Sequence, residues 1–192
     1  MSDPRASGIV VANPPWVEEF VDWESRLPAP EDRMRLVIAL ARENVARRTG
    51  GPFGAAVFEV ESGAIVSVGV NSVVRLGNSA LHAEVIALMA AQRRLGSFTL
   101  GAPGLPRHEI VSSCEPCAMC LGATLWAGVS RVVWSATRED ARLLEFDEGP
   151  VFPQSYAYLR ERGLQFEGGV LRAEGRAVLQ LYRDRGGIIY NG

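Results

Sequence analysis

The sequence predicts a single α/β domain in which helices cover both faces of one mixed β-sheet. Segments with a strand pattern alternate with segments of helical periodicity through the middle of the chain. Residues 54–60 and 64–71 are apolar at nearly every position, as strands buried on both faces are. The chain has 192 residues, of which 47% are hydrophobic and 22% charged. This length and composition suit one domain with a sizeable core that needs no disulfide bonds.

The first 30 residues differ in character from the rest. They are rich in proline yet carry Trp16, Phe20 and Trp23, so we expect an arm that lies on the domain and not a free tail. The domain itself is expected to span residues 31–192. Its first helix is indicated by apolar residues at helical spacing and ends at Gly50-Gly51. These apolar residues are Met34, Val37, Ile38, Ala41 and Val45.

The remaining elements are predicted from the same two patterns, the apolar runs of strands and the helical spacing of apolar residues. Strands are expected over residues 54–60, 64–71, 109–113, 131–136 and 164–170, with a turn at Glu61-Ser62-Gly63 joining the first two. Helices are expected over residues 82–94, 115–126, 138–145, 154–162 and 174–185. Pro116 would then occupy a favoured position in the first turn of its helix.

The charge balance excludes several classes of protein. The net charge is -2, from 22 acidic residues and 20 basic residues that are all arginine. Such a chain is a poor candidate for gripping many phosphates, so no nucleic-acid partner is expected. The longest uncharged stretch, Pro116 to Ser130, is shorter than the roughly 20 residues of a membrane span. The first 25 residues also lack a secretory signal, so we expect a cytoplasmic protein with no membrane partner.

Three residues have the chemistry of a zinc site. Cys117 and Cys120 lie three positions apart near the start of a predicted helix, where their sulfurs can converge and the positive helix end favours thiolates. His82 begins another predicted helix and can supply a third ligand. A structural zinc finger would need four ligands in two close pairs, whereas three ligands leave a position open for water, as in catalytic sites. Cys114 is interpreted as a small buried side chain that is not a ligand.

Glu84 would give that open position a use. Zinc lowers the pKa of a bound water to about 7, and a neighbouring carboxylate can take its proton and pass it to a substrate nitrogen. The spacing of His82 and Glu84 does not by itself place the carboxylate there, because residues two apart point to different sides of a helix. The pattern His-x-Glu followed by Pro-Cys-x-x-Cys, however, is the signature of the zinc deaminases.

The sequence resembles the cytidine and deoxycytidylate deaminase family over about residues 31–136. The residues that carry the resemblance are Pro52-Phe53-Gly54-Ala55, Asn71, His82-Ala83-Glu84 and Ser113-Cys114-Glu115-Pro116-Cys117-Ala118-Met119-Cys120. The resemblance implies a cytidine deaminase-like, three-layer α/β/α fold with a five-stranded mixed sheet. It implies one Zn²⁺ per chain, held by His82, Cys117 and Cys120, with Glu84 as general acid and base. It also implies a homodimer. The substrate contacts that it implies are Phe53, Asn71, Ala83, Trp126 and Phe146.

Two later segments resemble the bacterial guanine deaminase branch of that family. They are Phe146-Asp147-Glu148-Gly149-Pro150 and Ile189-Tyr190-Asn191. The resemblance implies that Glu148 is a second acid, which helps to move protons to the departing amine. Tyr190 and Asn191 would close over the pocket, in their own chain or in a partner. The implied reaction converts guanine and water to xanthine and ammonia, so the expected partner is a small nucleobase.

Other interpretations stay open from the sequence. Within the fold, the rivals are a tRNA adenosine deaminase, which the acidic residues at 145–148 and the charge balance disfavour, and a deaminase of cytosine or its nucleosides. From another class, the chain could be a binding module with a structural zinc. Cys114 and Cys117 also form a Cys-x-x-Cys pair that could be redox-active. His108 has no partner motif and is expected to be exposed.

Overall fold

A five-stranded mixed sheet forms the middle layer of the computed structural model, which describes residues 8–191. The strands are β1 (Gly54–Glu59), β2 (Ile65–Val70), β3 (His108–Cys114), β4 (Arg131–Ala136) and β5 (Gln165–Gly168), in the order β2-β1-β3-β4-β5. β1 is antiparallel to both β2 and β3, whereas β3, β4 and β5 are parallel. This arrangement confirms the predicted sheet.

Helices cover both faces of the sheet. They are α1 (Trp16–Phe20), α2 (Pro30–Ala46), α3 (Val73–Leu76), α4 (Ala83–Leu95), α5 (Ala118–Ala127), α6 (Arg138–Arg142), α7 (Pro153–Glu161) and α8 (Arg172–Asp184). Residues of α2 and α8 share one core with one face of the sheet, and residues of α4, α5 and α7 share a second core with the other. Successive residues of β3, such as Ile110 and Val111, therefore enter opposite cores. The three-layer α/β/α prediction is confirmed.

The described part of the N-terminal arm lies against the domain. Trp16, Val17 and Val21 are buried in the core that α2 and α8 form. The Asn13 amide donates to the Val68 carbonyl at 2.9 Å and accepts from the Val70 N–H at 3.2 Å, so it pairs with the free edge of β2. Residues 1–7 of the predicted arm lie outside the described residues, and the division at residue 30 stays a prediction.

The structure differs from the sequence predictions at several points. α5 begins at Ala118 and not at 115, because Cys117 has the extended backbone of an N-cap residue. A short helix, α3, occupies a segment that was predicted as loop. The prediction that His108 is exposed is wrong: it is 1% exposed, and its Nδ1 lies 2.9 Å from the Leu100 carbonyl oxygen.

No helix within residues 8–191 is long and apolar enough to cross a bilayer.

Candidate active site

A cavity of about 360 Å³ opens at the end of the sheet where β3 finishes and β1 begins. Its walls come from the turn before β1, the segment after β2, and the N-terminal ends of α4 and α5. Residues 146–149 and the tail residues 190–191 complete it. The volume lies in the range of small-molecule sites, and nearly every residue singled out in the sequence faces this one cavity.

His82, Cys117 and Cys120 form a compact cluster at the cavity wall. The His82 Nδ1 lies 3.5 Å from the Cys117 Sγ and 3.6 Å from the Cys120 Sγ. All three ligand atoms lie within 4.8 Å of one another. Zinc–ligand bonds of 2.0–2.3 Å at tetrahedral angles put neighbouring nitrogen and sulfur ligands about 3.5 Å apart. The cluster therefore has both the spacing and the donor set that zinc requires.

Two helix starts bring these ligands together. His82 is the N-cap residue of α4 and Cys117 is the N-cap residue of α5, and neither side chain caps its own helix. Both side chains are thus free to face the cavity. A hydrogen bond from Cys120, helped by His82, lowers the pKa of the Cys117 thiol to about 4, so this sulfur is a thiolate at neutral pH. Metal ligation requires that form of cysteine.

Glu84 lies beside the cluster, in the first turn of α4. Its side chain is buried, at 6% exposure. The Ser112 hydroxyl donates to Oε1 at 3.0 Å, and the Cys120 Sγ lies 3.4 Å from Oε2. Burial raises the pKa of Glu84. The carboxyl group is therefore fixed in place beside the ligand cluster, and burial favours its binding a proton.

Asn71, directly after β2, lines the cavity. Its Oδ1 accepts hydrogen bonds from the backbone N–H groups of Gly51 and Val73, both at 3.3 Å. Its Nδ2 is buried and has no hydrogen-bond partner among the described residues. A buried donor without a partner is costly, so Nδ2 is available for an acceptor atom on a ligand.

Glu148 is a second buried carboxyl group in the same cavity, at 6% exposure. Its backbone carbonyl accepts from the Ala118 N–H at 2.9 Å, which fixes the loop against the start of α5. Burial, together with the negative charges of Cys117 and Glu84, raises the pKa of Glu148 to about 8. The raised pKa favours the protonated form of this side chain, which can donate a proton.

Aromatic rings form the wall next to Glu148. The Phe146 ring lies 5.1 Å from the Phe53 ring and 5.2 Å from the Tyr190 ring, in edge-to-face contacts. The Tyr190 hydroxyl is buried without a hydrogen-bond partner among the described residues. It passes so close to Gly51 that a Cβ there would overlap with it. These rings give the cavity a flat apolar side.

The tail is tied to the Glu148 loop by one side chain. The Asn191 amide nitrogen donates to the Glu145 carbonyl at 2.8 Å, and its Oδ1 accepts from the Asp147 N–H at 2.8 Å. The Tyr182 hydroxyl also donates to the Ile188 carbonyl at 2.7 Å. The tail thus closes over the cavity within this chain.

Two proposed substrate contacts lie outside the cavity. Trp126 is 81% exposed and is not among the lining residues, so its prediction as a wall is wrong for this chain. The Ala83 side chain is fully buried in the core on the α4 side of the sheet and does not line the cavity, and a contact from its backbone stays a prediction.

Cys114 lines the cavity but lies outside the metal cluster. The ligand group comprises His82, Cys117 and Cys120 alone among these side chains. The Cys114 Sγ lies 3.5 Å from the Thr137 carbonyl oxygen, and burial raises the pKa of this thiol. Cys114 is therefore a small buried side chain, as predicted.

Sequence analysis missed Ser112 and Glu115. Ser112 lies on β3, and its hydroxyl reaches Glu84 of α4 from a strand distant in sequence. The Glu115 carboxyl group lines the cavity and is held by the Tyr156 hydroxyl at 2.6 Å and the Arg138 guanidinium at 3.1 Å. Both partners come from elements distant in sequence, so no local pattern indicated them.

Comparison with known proteins identifies the family. The model of the cytidine and deoxycytidylate deaminase zinc-binding region matches residues 29–136. A guanine deaminase of Bacillus subtilis is 36% identical over 136 residues, which are 71% of this chain and 83% of that protein. A tRNA-specific adenosine deaminase of Buchnera aphidicola is 28% identical over 149 residues, or 77% of this chain and 91% of that protein.

A solved structure extends the match beyond the zinc-binding region. The guanine deaminase from Nitrosomonas europaea superimposes with a TM-score of 0.88 at 41% identity, covering 92% of this chain and 97% of that one. The fold agrees with the family match, and so does the cluster of one histidine and two cysteines. The chain belongs to the cytidine and deoxycytidylate deaminase family, whose defining feature is this zinc-binding region.

Proposed function

We propose that this protein hydrolyses the amino group of a free nucleobase, with guanine as substrate and xanthine and ammonia as products. One observation carries the proposal: two buried carboxyl groups, Glu84 and Glu148, share a small cavity with a zinc-type ligand cluster. The Bacillus subtilis relative at 36% identity and the Nitrosomonas europaea structure at 41% identity are guanine deaminases, which supports guanine as the base.

His82, Cys117 and Cys120 would hold one zinc ion per chain. When bound, zinc supplies the Lewis acidity that lets a water molecule lose its proton near neutral pH. The ligand spacing and the thiolate character of Cys117 fit this ion. Three protein ligands also leave a coordination position free, which a module with a purely structural zinc would not need.

Glu84 and Glu148 would divide the proton transfers. Glu84 takes a proton from the attacking water and gives it to a ring nitrogen while the oxygen bonds to the carbon that bears the amino group. The departing amine then needs a further proton before the carbon–nitrogen bond breaks and ammonia leaves. Glu148, a buried acid with a raised pKa of about 8, is suited to deliver that proton. As the carbonyl of the product forms, the hydroxyl on the same carbon gives up its proton, which restores the acid form of Glu148. The net change is then water added and ammonia released.

The cavity walls fit a flat, uncharged base. Phe53, Phe146 and Tyr190 would contact its faces and edges, and the free Nδ2 of Asn71 would donate to a ring acceptor. Among residues 8–191, the lining side chains include four acids and no arginine. This argues against a tRNA substrate, since RNA phosphates require basic contacts. Cytosine is the nearer rival because it is also flat and neutral.

Ammonia release tests the proposal directly. The purified zinc-loaded protein should release ammonia from guanine, with xanthine formed in equal amount. Cytosine, cytidine and a tRNA adenosine stem-loop serve as competing substrates. Turnover on cytosine or on the stem-loop but not on guanine would reject the substrate assignment, and no ammonia from any of them would favour the zinc-binding module.

We also propose that two copies of the chain associate and that the protein is cytoplasmic. Three exposed apolar residues lie on α5 and α4, namely Trp126, Met119 and Met89. The two helices pack against each other. Met119 also lines the cavity, so this surface continues to the site, and a second copy would cover it. Light scattering should give twice the chain mass, and Trp126→Ser should shift the protein toward monomer. An unchanged mass with this variant would reject the surface.

A further inference from the structure

Asn44 is a fully buried amide inside α2, close to the active cavity but not part of it. Its Nδ2 donates to two backbone carbonyls, those of Gly51 and Asn71, both at 2.9 Å. Its Oδ1 accepts from the Thr49 hydroxyl at 2.7 Å. Asn44 thus connects the end of α2, the turn before β1 and the residue directly after β2.

The Thr49 hydroxyl sets which way the Asn44 amide points. Thr49 has one hydroxyl hydrogen, and its oxygen accepts from the Trp16 indole N–H at 3.1 Å. Two acceptors lie within reach of the hydrogen, the Asn44 Oδ1 at 2.7 Å and the Asn44 backbone carbonyl at 3.4 Å, and the shorter contact directs it to Oδ1. This leaves the two Nδ2 hydrogens for the two carbonyls, since a flipped amide would place an oxygen against both of them.

Asn44 acts on the backbone of Asn71, the proposed substrate donor. The Asn71 carbonyl is held by Asn44, and the Asn71 N–H donates to the Phe53 carbonyl at 3.0 Å. The Gly51 carbonyl is held by the same amide, and the Gly51 N–H donates to the Asn71 Oδ1. The Asn44 amide therefore fixes both the Asn71 backbone and Gly51, whose N–H holds the Asn71 side-chain amide.

Gly50 shows how closely these parts approach. A Cβ at this position would overlap with the Asn71 carbonyl oxygen and would lie 2.7 Å from the Asn44 Nδ2. A side chain there would push the α2 end away from Asn71. The glycine pair that was predicted only to end a helix is thus also required for this contact.

We propose that Asn44, oriented by Thr49, is a positioning residue for substrate binding that acts through Asn71. The Trp16 indole extends the same chain of hydrogen bonds to the N-terminal arm, so the arm contributes to the site without touching it. This inference rests on the proposed function in one respect, which is that Asn71 contacts the base.

The test uses a matched pair of variants at Thr49. Thr49→Val removes the hydroxyl at nearly constant shape, and Thr49→Ser keeps it. We expect Thr49→Val to lower kcat/KM for the base by about fivefold, the worth of one hydrogen bond, and to act mainly on KM. Thr49→Ser should stay within about twofold of the unmodified protein, and Trp16→Phe should give a smaller loss in the same direction.

A double-mutant cycle separates positioning from a general structural effect. In an Asn71→Ala background, Thr49→Val should no longer change kcat/KM, because the side chain through which it acts is gone. An equal loss in both backgrounds, or equal activity of the Val and Ser variants, would overturn the inference. Thermal unfolding of each variant shows whether a loss follows stability instead.

The choice of substrate distinguishes a failure of the proposed function from a failure of this inference. If the protein releases no ammonia from guanine, the proposed function fails, and the cycle is run on whichever base the ammonia screen identifies. Asn44→Ala provides a second measurement. We expect it to lower kcat/KM more than Thr49→Val does, and to have no effect on kcat/KM in the Asn71→Ala background.

Discussion

The two sides of the cavity are built in different ways. The metal side, comprising Glu84 and the ligand cluster, comes from two helix starts anchored on the sheet, and it lies inside the segment that the family model matches. The lid side, comprising residues 146–149 and 190–191, lies outside that segment. A few hydrogen bonds from Asn191 and Ala118 hold it. We infer that the metal side carries the common chemistry and the lid side selects the substrate.

The largest expected effect belongs to the metal side. Replacing His82, Cys117 or Cys120 by alanine should remove both zinc and turnover, because three protein ligands leave no spare donor. Elemental analysis should find about one zinc per chain in the unmodified protein. Cys114→Ser is the control and should keep its zinc. Loss of zinc from that control while His82→Ala retains it would reject the ligand assignment.

Glu84 should separate chemistry from metal binding. Glu84→Gln is expected to lower kcat by at least about 10²- to 10⁴-fold, the usual range for a general acid–base group. Zinc should stay bound, since the carboxylate is not a ligand. A variant that keeps zinc and more than a tenth of its activity would show that another group moves the proton.

Glu148 tests whether the lid side takes part in the reaction. Glu148→Gln should lower kcat on guanine by about 10²-fold with little change in guanine binding, since the amide keeps the shape but cannot release a proton. A substrate with a better leaving group should be affected less. A change in kcat within about twofold, worth under about 0.5 kcal/mol, would remove the main support for guanine.

Deletion of residues 188–192 should have a smaller effect that is specific to the lid. The deletion removes the Tyr190 wall and the Asn191 hydrogen bonds to the Glu145 and Asp147 backbone. We expect about a tenfold loss of kcat/KM, comparable to one or two hydrogen bonds, and a smaller effect on stability, measured as Tm. An unchanged rate would show that the lid does not need the tail.

The smallest expected effect concerns the contact between α6 and α8. Asp140 on α6 accepts from the Arg172 guanidinium of α8 at 2.9 Å and caps α6 at the Thr137 N–H. These two helices lead into the lid loop and the tail. The Arg172 guanidinium lowers the pKa of Asp140 from 3.8 to about 2. Because the folded pKa is the lower one, the stabilisation is present above pH 3.8 and is lost as the pH falls through about 2.

Asp140→Asn should therefore lower the free energy of unfolding by about 1–2 kcal/mol at pH 7, a value reduced because Arg172 is half exposed. The difference from the unmodified protein should shrink toward pH 3. Urea unfolding at the two pH values measures it, and Glu174→Gln on α8 is a matched control that should show no such trend. An equal loss at both pH values would assign the effect to the α6 cap alone.

Sequence patterns predicted most of the architecture but not its details at helix starts. β4 was predicted at its observed bounds, 131–136, because strand periodicity there is uninterrupted. The start of α5 was misplaced because Pro116 is also compatible with a first turn, and only the extended backbone at Cys117 decided the matter. His108 was misjudged because a single polar residue carries no periodicity, whereas the Leu100 carbonyl that lies 2.9 Å from its Nδ1 comes from a separate loop.

The sequence by itself determined the fold class and the chemistry of the metal side. Apolar periodicity is local, and the residues that carry the metal chemistry stand in two short motifs. Only the tertiary structure decided how the lid side is assembled. It placed Trp126 on the surface, buried Glu148, brought the tail to Gly51 and connected Trp16 to Asn71 through Thr49 and Asn44. These contacts join residues far apart in the chain, so they depend on packing and hydrogen-bond geometry that no local pattern contains.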